Sequence, residues 1–269
     1  MSVQASAWRL IRHEEASGSW NMAVDEAIAQ AVGYGEVPPT LRFYTWNPHA
    51  VSLGYLQRAP GGVDLDACRQ HGIEIVRRIT GGRAVLHAHE LTYSVAIPSR
   101  HPWRSLSVVE LFAQISAGLI AGLERLGIAA SLGVSPLAAG NALERDVCFL
   151  HQRRPAVLVH GRKLIGSAQR RWDRSLLQHG SILLEFDSQV HQAVFPAWPR
   201  GDPARGVTCL NTILGKVMRT GELMAILGSA WCEAFGVSGI LGDLTPGERS
   251  VALELAGRKY GNLAWTYRR

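Results

Sequence analysis

Apolar residues recur at helical spacing early in the chain: Val24, Ala27, Ile28, Ala31 and Val32 follow Ser19 and predict a helix from about Trp20 to Val32, with Asp25 and Glu26 on its exposed face. Short apolar runs from Leu41 to Trp46 and from Ala50 to Tyr55 suit strands, and a brief helix from Asp64 should stop at Gly72. The run from Ile73 to Arg78 reads as a strand entering the tight turn Thr80-Gly81-Gly82. A β-hairpin is then expected, with arms Arg83 to His87 and Leu91 to Ile97 and the polar tip His87-Ala88-His89-Glu90. Ser107 with Glu110 makes a capping-box pattern ahead of Leu111, Phe112, Ile115, Leu119 and Leu123. That predicts a long amphipathic helix closing at Gly127.

The second half begins with an expected loop from Ser131 to Asp146. Val147 to Leu150, Ala156 to His160, Lys163 to Gln169 and Leu176 to Phe186 follow as a run of antiparallel strands joined by short turns such as His160-Gly161-Arg162. Pro, Gly, Arg and Trp crowd Asp187 to Gly206, as in a long surface loop. One last helix starts after Thr220; another starts at Thr245-Pro246-Gly247-Glu248, where N-cap, first-turn Pro and Glu coincide. Hairpins overlaid by helices, without regular βαβ alternation, indicate an α+β fold: a mixed, mostly antiparallel sheet covered by helices. With 269 residues, near the upper size for one core, a single catalytic domain over 1–269 is expected, its C-terminal portion helical from about 207.

Charge narrows the choice of partners. The 28 Lys and Arg against 22 Asp and Glu give +6, without the basic blocks that track nucleic acid; an acidic protein partner fits. No apolar signal region opens the chain, and Glu110 and Gln114 interrupt the apolar stretch from Val108 to Leu123, so neither export nor a membrane anchor is expected and the cytoplasm is the expected compartment. Cys68, Cys148, Cys209 and Cys232 lie far apart, which argues against a zinc knuckle or a redox pair and for free thiols.

Candidate chemistry concentrates in two places. The first is Arg77 to His87, where Gly81 and Gly82 allow close backbone approach to a ligand and Arg77, Arg78 and Arg83 could hold an anion; a turn with solvated arginines is the bland alternative. No nucleotide-binding glycine loop is present. The second surrounds Cys148, whose thiol would need a cationic or basic neighbour to ionise and which has Arg145, His151, Arg153 and Arg154 near it in sequence. A buried, inert thiol is the ordinary alternative. Lys163, in an apolar strand, could approach across the sheet and stabilise an oxyanion, or could be a plain hairpin residue. His87 and His89 lack a third ligand, so no metal site is assigned, and His179 reads as a strand residue with a weaker claim to a role.

Four blocks carry a resemblance to a known family. Arg77-Arg78, Thr80-Gly81-Gly82-Arg83-Ala84-Val85-Leu86-His87, the early Asn21-Met22-Ala23 with Asp25-Glu26-Ala27, Gly161-Arg162-Lys163-Leu164-Ile165-Gly166-Ser167, and His179-Gly180-Ser181 occur in the order seen in the lipoate-attachment branch of the biotin and lipoate protein ligase superfamily. Lys259-Tyr260-Gly261 and Trp265 also fit. Arg83 in place of a third glycine, Cys148 just upstream of the lysine motif and the absence of a long accessory domain resemble the LipM-type octanoyltransferases rather than the ligases. Ala88 departs from the pattern, where the family commonly has Asp.

The resemblance implies an octanoyltransferase with Cys148 and Lys163 catalytic and with Arg77, Gly81, Gly82, Arg83, His87, Gly166 and His179 binding substrate. It also implies acyl carrier protein as donor, the glycine cleavage H protein or another lipoyl-domain protein as acceptor, and no cofactor beyond the octanoyl or lipoyl group that is the substrate. ATP enters only under the alternative, a lipoate–protein ligase.

Overall fold

The computed structural model describes residues 6–60, 62–134, 155–197 and 206–268. Its frame is an eight-stranded mixed sheet, in the order β11-β1-β2-β6-β10-β9-β8-β7, beside a three-stranded sheet β4-β3-β5. In the large sheet β1 is Ala7–Ala16, β2 Thr40–Trp46, β6 Glu90–Pro98, β7 Ala130–Gly133, β8 Ala156–Val159, β9 Arg162–Arg171, β10 Ser175–Leu183 and β11 Ser238–Leu241. The small sheet comprises β3 Ala50–Leu53, β4 Glu74–Arg77 and β5 Val85–His87. The α+β class expected from the hairpin pattern is the one observed.

Strand alternation gives each face of the large sheet its own cover. Leu41, Phe43, Leu91, Tyr93, Val95, Leu176 and Ile182 pack under helices α3 (Val108–Glu124) and α6 (Thr220–Phe235). The opposite face meets α1 (Gly18–Tyr34) and the small sheet, and helix α7 (Pro246–Leu255) lies outside α1. Among the described residues no helix is long and apolar enough to cross a membrane.

Several local expectations hold for stated reasons. Ser107 and Glu110 form both bonds of a capping box at the start of α3, and Thr245 and Glu248 do the same for α7. His160 and Gly161 both adopt left-handed φ, 49° and 73°, as a two-residue turn matched to strand twist requires, so β8 and β9 form the expected hairpin. Helix α2 (Leu65–Gln70) is capped by Asp64, and Gly72 follows with φ 63°.

Other expectations are corrected. The arms Arg83 to His87 and Leu91 to Ile97 are not a hairpin: β5 pairs with β3 in the small sheet, whereas β6 pairs with β2 and β10 in the large one. Asp25 and Glu26 are buried, because α1 is covered by the sheet on one side and by α7 on the other. Helix α1 starts at Gly18, two residues before the expected Trp20, with Ser17 as its N-cap. A strand, β7, occupies the start of the expected loop at Ser131, and a short helix α4 (Ser188–Val194) interrupts the one at Asp187. The C-terminal portion carries helix α5 (Leu210–Leu214), α6, α7 and helix α8 (Leu263–Thr266), but also gives the large sheet its edge strand, β11.

Candidate active site

Two rows of residues cross the covered face of the large sheet. Register places Arg42 opposite Ser94, Ser94 opposite His179 and His179 opposite Ala168; in the next row Tyr44, Thr92, Ser181 and Gly166 follow in the same way. The small sheet lies over them and leaves a cleft lined by Met22, Tyr44 and Trp46, by Ser52, Arg78, Val85 and His87, and by the residues from Gly166 to Ala168 and His179 to Ser181. Its volume is small, about 30 Å³. That is room for about two waters.

A buried carboxylate organises the first row. Asp25, reaching down from α1, accepts from Arg42 Nη1 and Ser94 Oγ at 2.8 Å on one oxygen, and from Tyr44 OH at 2.8 Å and His179 Nδ1 at 3.0 Å on the other. Burial by itself would raise the Asp25 carboxyl, but the His179 bond and the Arg42 charge hold it below its ordinary value. Burial lowers His179, against the pull of Asp25, so the ring is neutral at pH 7. Its Nδ1–H therefore donates to Asp25, and Nε2 accepts the Thr80 hydroxyl at 2.6 Å. Thr80 opens the glycine turn, so α1, β10 and that turn are tied together by one acid, one ring and one hydroxyl.

A second chain crosses the cleft. Arg78 Nη1 donates to Ser52 Oγ at 2.9 Å, which leaves the Ser52 hydroxyl to donate to His87 Nε2 at 2.7 Å, while His87 Nδ1–H donates to Glu90 at 2.8 Å. Trp46 stacks on the His87 ring with centroids 4.0 Å apart. Arg78 also donates to the carbonyls of Gly81 and Arg83, at 2.8 and 2.7 Å. Because a trans peptide points its N–H opposite its C=O, drawing those two carbonyls inward turns the amides of Gly82 and Ala84 the other way.

The candidate residues divide accordingly. His87, Gly166 and His179 form part of the cleft wall. Gly81 and Gly82 form the turn that Arg78 braces, and Arg83 contributes its carbonyl to the same brace. Arg77 is placed elsewhere: its buried guanidinium donates to the carbonyls of Gly54, Gln57 and Thr266, and Trp265 Nε1 donates to its own carbonyl. Arg77 thus pins the C-terminal helix to the turn after β3, and the cleft arginine is its neighbour, Arg78. Strand periodicity in the Ile73 to Arg78 run contained the signal, since adjacent strand residues face opposite ways.

Lys163 shares the cleft face for a reason that spacing alone hides. Odd spacing would put it on the side opposite Gly166, but a bulge between β8 and β9 spends the extra residue, with Leu164 and Ile165 both in the core under α3. Its backbone bonds to Gly206 O and Thr208 N hold it there. Cys148 lies outside the described residues. The remaining thiols are poorly ionised: burial pushes Cys68 and Cys209 up to about 11 and raises Cys232. His89 meets His49 edge-on, away from His87's partners.

Residues 17–231 match the family model described as lipoyl protein ligase A/B catalytic domain. The chain belongs to this family. It is 42% identical to octanoyltransferase LipM of Symbiobacterium thermophilum over 97% of this chain and 98% of that one, and 40% identical to octanoyltransferase LipM of Kyrpidia tusciae over 97% and 99%. Among solved structures it resembles a putative lipoate protein ligase from T. acidophilum with bound lipoic acid, with TM-score 0.79, 25% identity, and coverage of 98% of this chain and 100% of that one. The protein is an acyltransferase, in a fold shared with lipoate ligases.

Buried neutral histidines give this family member a pH signature. His191, stacked on Phe186 with its Nδ1 on the Asp187 carbonyl, is pushed by burial down to about 4 from 6.5, and His179 moves in the same direction. In the unfolded chain both rings take up protons below about pH 6.5, where the folded chain does not. Stability is therefore present above that pH and lost as pH falls from about 6.5 toward 4. Thermal melts over this range should show a falling midpoint, with a flatter slope in His191→Gln; an unchanged slope counts against the assignment.

Proposed function

We propose that the chain moves an octanoyl group from acyl carrier protein, through a thioester on Cys148, to a lysine of a lipoyl-domain protein, with the glycine cleavage H protein as the first acceptor to try. The observation that carries this reading is the near-full-length similarity to octanoyltransferases, at 42% identity over 97% of the chain. Two others support it: Cys68, Cys209 and Cys232 have raised thiols, and the register shift puts Lys163 on the same face of the sheet as Gly166.

In this reading the Cys148 thiolate attacks the donor thioester, the carrier thiol leaves and takes up a proton, and acyl-Cys148 forms. The acceptor's neutral lysine amine then attacks that thioester, an amide forms and the Cys148 thiol returns. Splitting the transfer lets one carrier leave before the other arrives. Lys163 and the outward-turned amides near Gly82 are the groups suited to the oxyanion of both tetrahedral intermediates. The acyl tail lies between the two sheets, along Trp46 and Val85. No metal or nucleotide takes part, and the compartment is the cytoplasm.

Intact mass after mixing with octanoyl acyl carrier protein, without ATP, is the test. A hydroxylamine-labile octanoyl adduct is expected, absent in Cys148→Ala. An enzyme that instead needs ATP and free lipoate, and in which Cys148→Ala transfers normally, is a lipoate ligase, and the reading is then wrong.

A further inference from the structure

A cationic and aromatic surface continues from the rim of the cleft. Tyr55 follows Gly54 and donates its backbone N–H to the Thr80 carbonyl, so its ring stands beside the glycine turn. Two guanidiniums cover that ring, Arg268 at 4.1 Å and Arg170 at 4.6 Å from the centroid. Arg170 comes from the large sheet, two residues past the cleft-lining Ala168 and on the same face, so the group spans the cleft's two walls. Arg268 also lies 4.0 Å from the Trp265 ring and donates to the Tyr55 carbonyl at 2.7 Å. These contacts hold both planes in place before any ligand arrives, and together they lower the Tyr55 phenol, Arg268 most.

Charge and exposure here are those of a contact surface. Among the described residues no carboxylate pairs with Arg170, Arg268 or the exposed Arg58, whereas the neighbouring Lys259 and Arg258 are engaged by Glu26 and Glu254. Leu56, 62% exposed, is the next residue after Tyr55, and Leu263, 70% exposed, shares a short helix with Trp265. Arginines set among aromatics have the composition of the energetic centre of a protein interface.

We propose that Arg170 and Arg268, set around Tyr55 and Trp265, together with the exposed Arg58 three residues after Tyr55, are the docking surface for the donor: an acidic carrier whose acyl group rides on a thiol arm anchored through a phosphate. This rests on the transferase reading above. A guanidinium seated over an aromatic ring keeps N–H groups for a phosphate or carboxylate, and the place is right, since an arm anchored at this rim can reach into the cleft toward Gly166. Unpaired positive charge also steers an acidic partner, an effect that salt weakens.

The test compares two donors in steady-state transfer without ATP: octanoyl acyl carrier protein, and octanoyl-pantetheine, which has the same thioester but neither phosphate nor protein. For Arg170→Gln/Arg268→Gln, KM for the carrier should rise about tenfold and lose most of its dependence on salt between about 50 and 300 mM, while the rate with octanoyl-pantetheine stays within about twofold. The exposed single variant Arg58→Gln, which disturbs no described contact, should show a smaller rise of the same kind. An unchanged carrier KM in both, or an equal loss with both donors, overturns the proposal. A rise in KM for the acceptor protein alone overturns the choice of the donor. Wild-type protein that uses neither donor refutes the transferase reading itself, and the docking proposal with it.

Discussion

Asp25→Asn is expected to destabilise the fold by about 3–5 kcal/mol, the range for breaking a buried ion pair from one side. Asp25 is the acceptor for four donors, two on each oxygen: Arg42 and Ser94, Tyr44 and His179. An asparagine presents one NH2 where two of those donors already point, and it leaves Arg42, 0% exposed, without its counter-charge. The consequences run in both directions along a connected chain. Arg42 Nε donates to His13 Nδ1 at 3.0 Å and His13 reaches Asp243 at 3.0 Å, while His179 holds Thr80 at the other end. Urea titration should show a lower midpoint with an unchanged slope, in a chain whose total stability is of the order of 5–15 kcal/mol. Transfer activity measured well below that midpoint should fall as well, because His179 loses the partner that fixes its tautomer. An unfolding free energy within about 0.5 kcal/mol of wild type would show that Asp25 is only a spectator.

Asp25 also marks what the sequence could and could not tell. Periodicity located α1 but put Asp25 and Glu26 on its outer face, because spacing identifies one apolar stripe and cannot reveal that a second layer, α7, will cover the other side. Local signals did better. The capping boxes of α3 and α7, the His160-Gly161 turn and the stop at Gly72 are all encoded within a few residues, and all appear in the structure. Pairing between strands is a long-range property, and there the chain misleads. His87-Ala88-His89-Glu90 looks like a hairpin tip, yet it is the passage from one sheet to the other, with Ala88 and His89 crossing between them.

The site divides along the same line. His87, Gly166 and His179 entered through the family motifs that the chain resembles, and all three lie in the cleft wall. Arg78 was hidden behind Arg77, since two adjacent arginines are chemically equal until the fold assigns one to the cleft and the other to the C-terminal helix. Lys163 is the reverse case: simple alternation counts against it, and the bulge, which only the pairing of β8 with β9 reveals, puts it on the right face. Gly54 stood outside every motif, and its importance comes entirely from what approaches it.

Gly54→Ala should cost about 100-fold in transfer activity while the fold survives. A Cβ on Gly54 would sit 2.0 Å from the Gly82 carbonyl oxygen and 2.8 Å from its carbon, and both are backbone atoms that cannot rotate away as a side chain could. Something must therefore move by roughly an ångström, a displacement that can cost about two orders of magnitude when it shifts groups that orient a reaction. Gly82, at φ 97°, belongs to the turn that Arg78 and Thr80 anchor, so the strain falls on the glycine turn beside the cleft and not on either sheet. Gly72→Ala is the matched control. Gly72 has a left-handed φ of 63°, unlike Gly54, but nothing lies within 4 Å of the added methyl, so the change carries backbone strain without a clash and should lower the melting temperature slightly and leave activity near wild type. Side-by-side melts and transfer rates separate the cases: a rate for Gly54→Ala within about threefold of Gly72→Ala would mean that the glycine turn tolerates displacement, and that the chemistry does not depend on where its amides point.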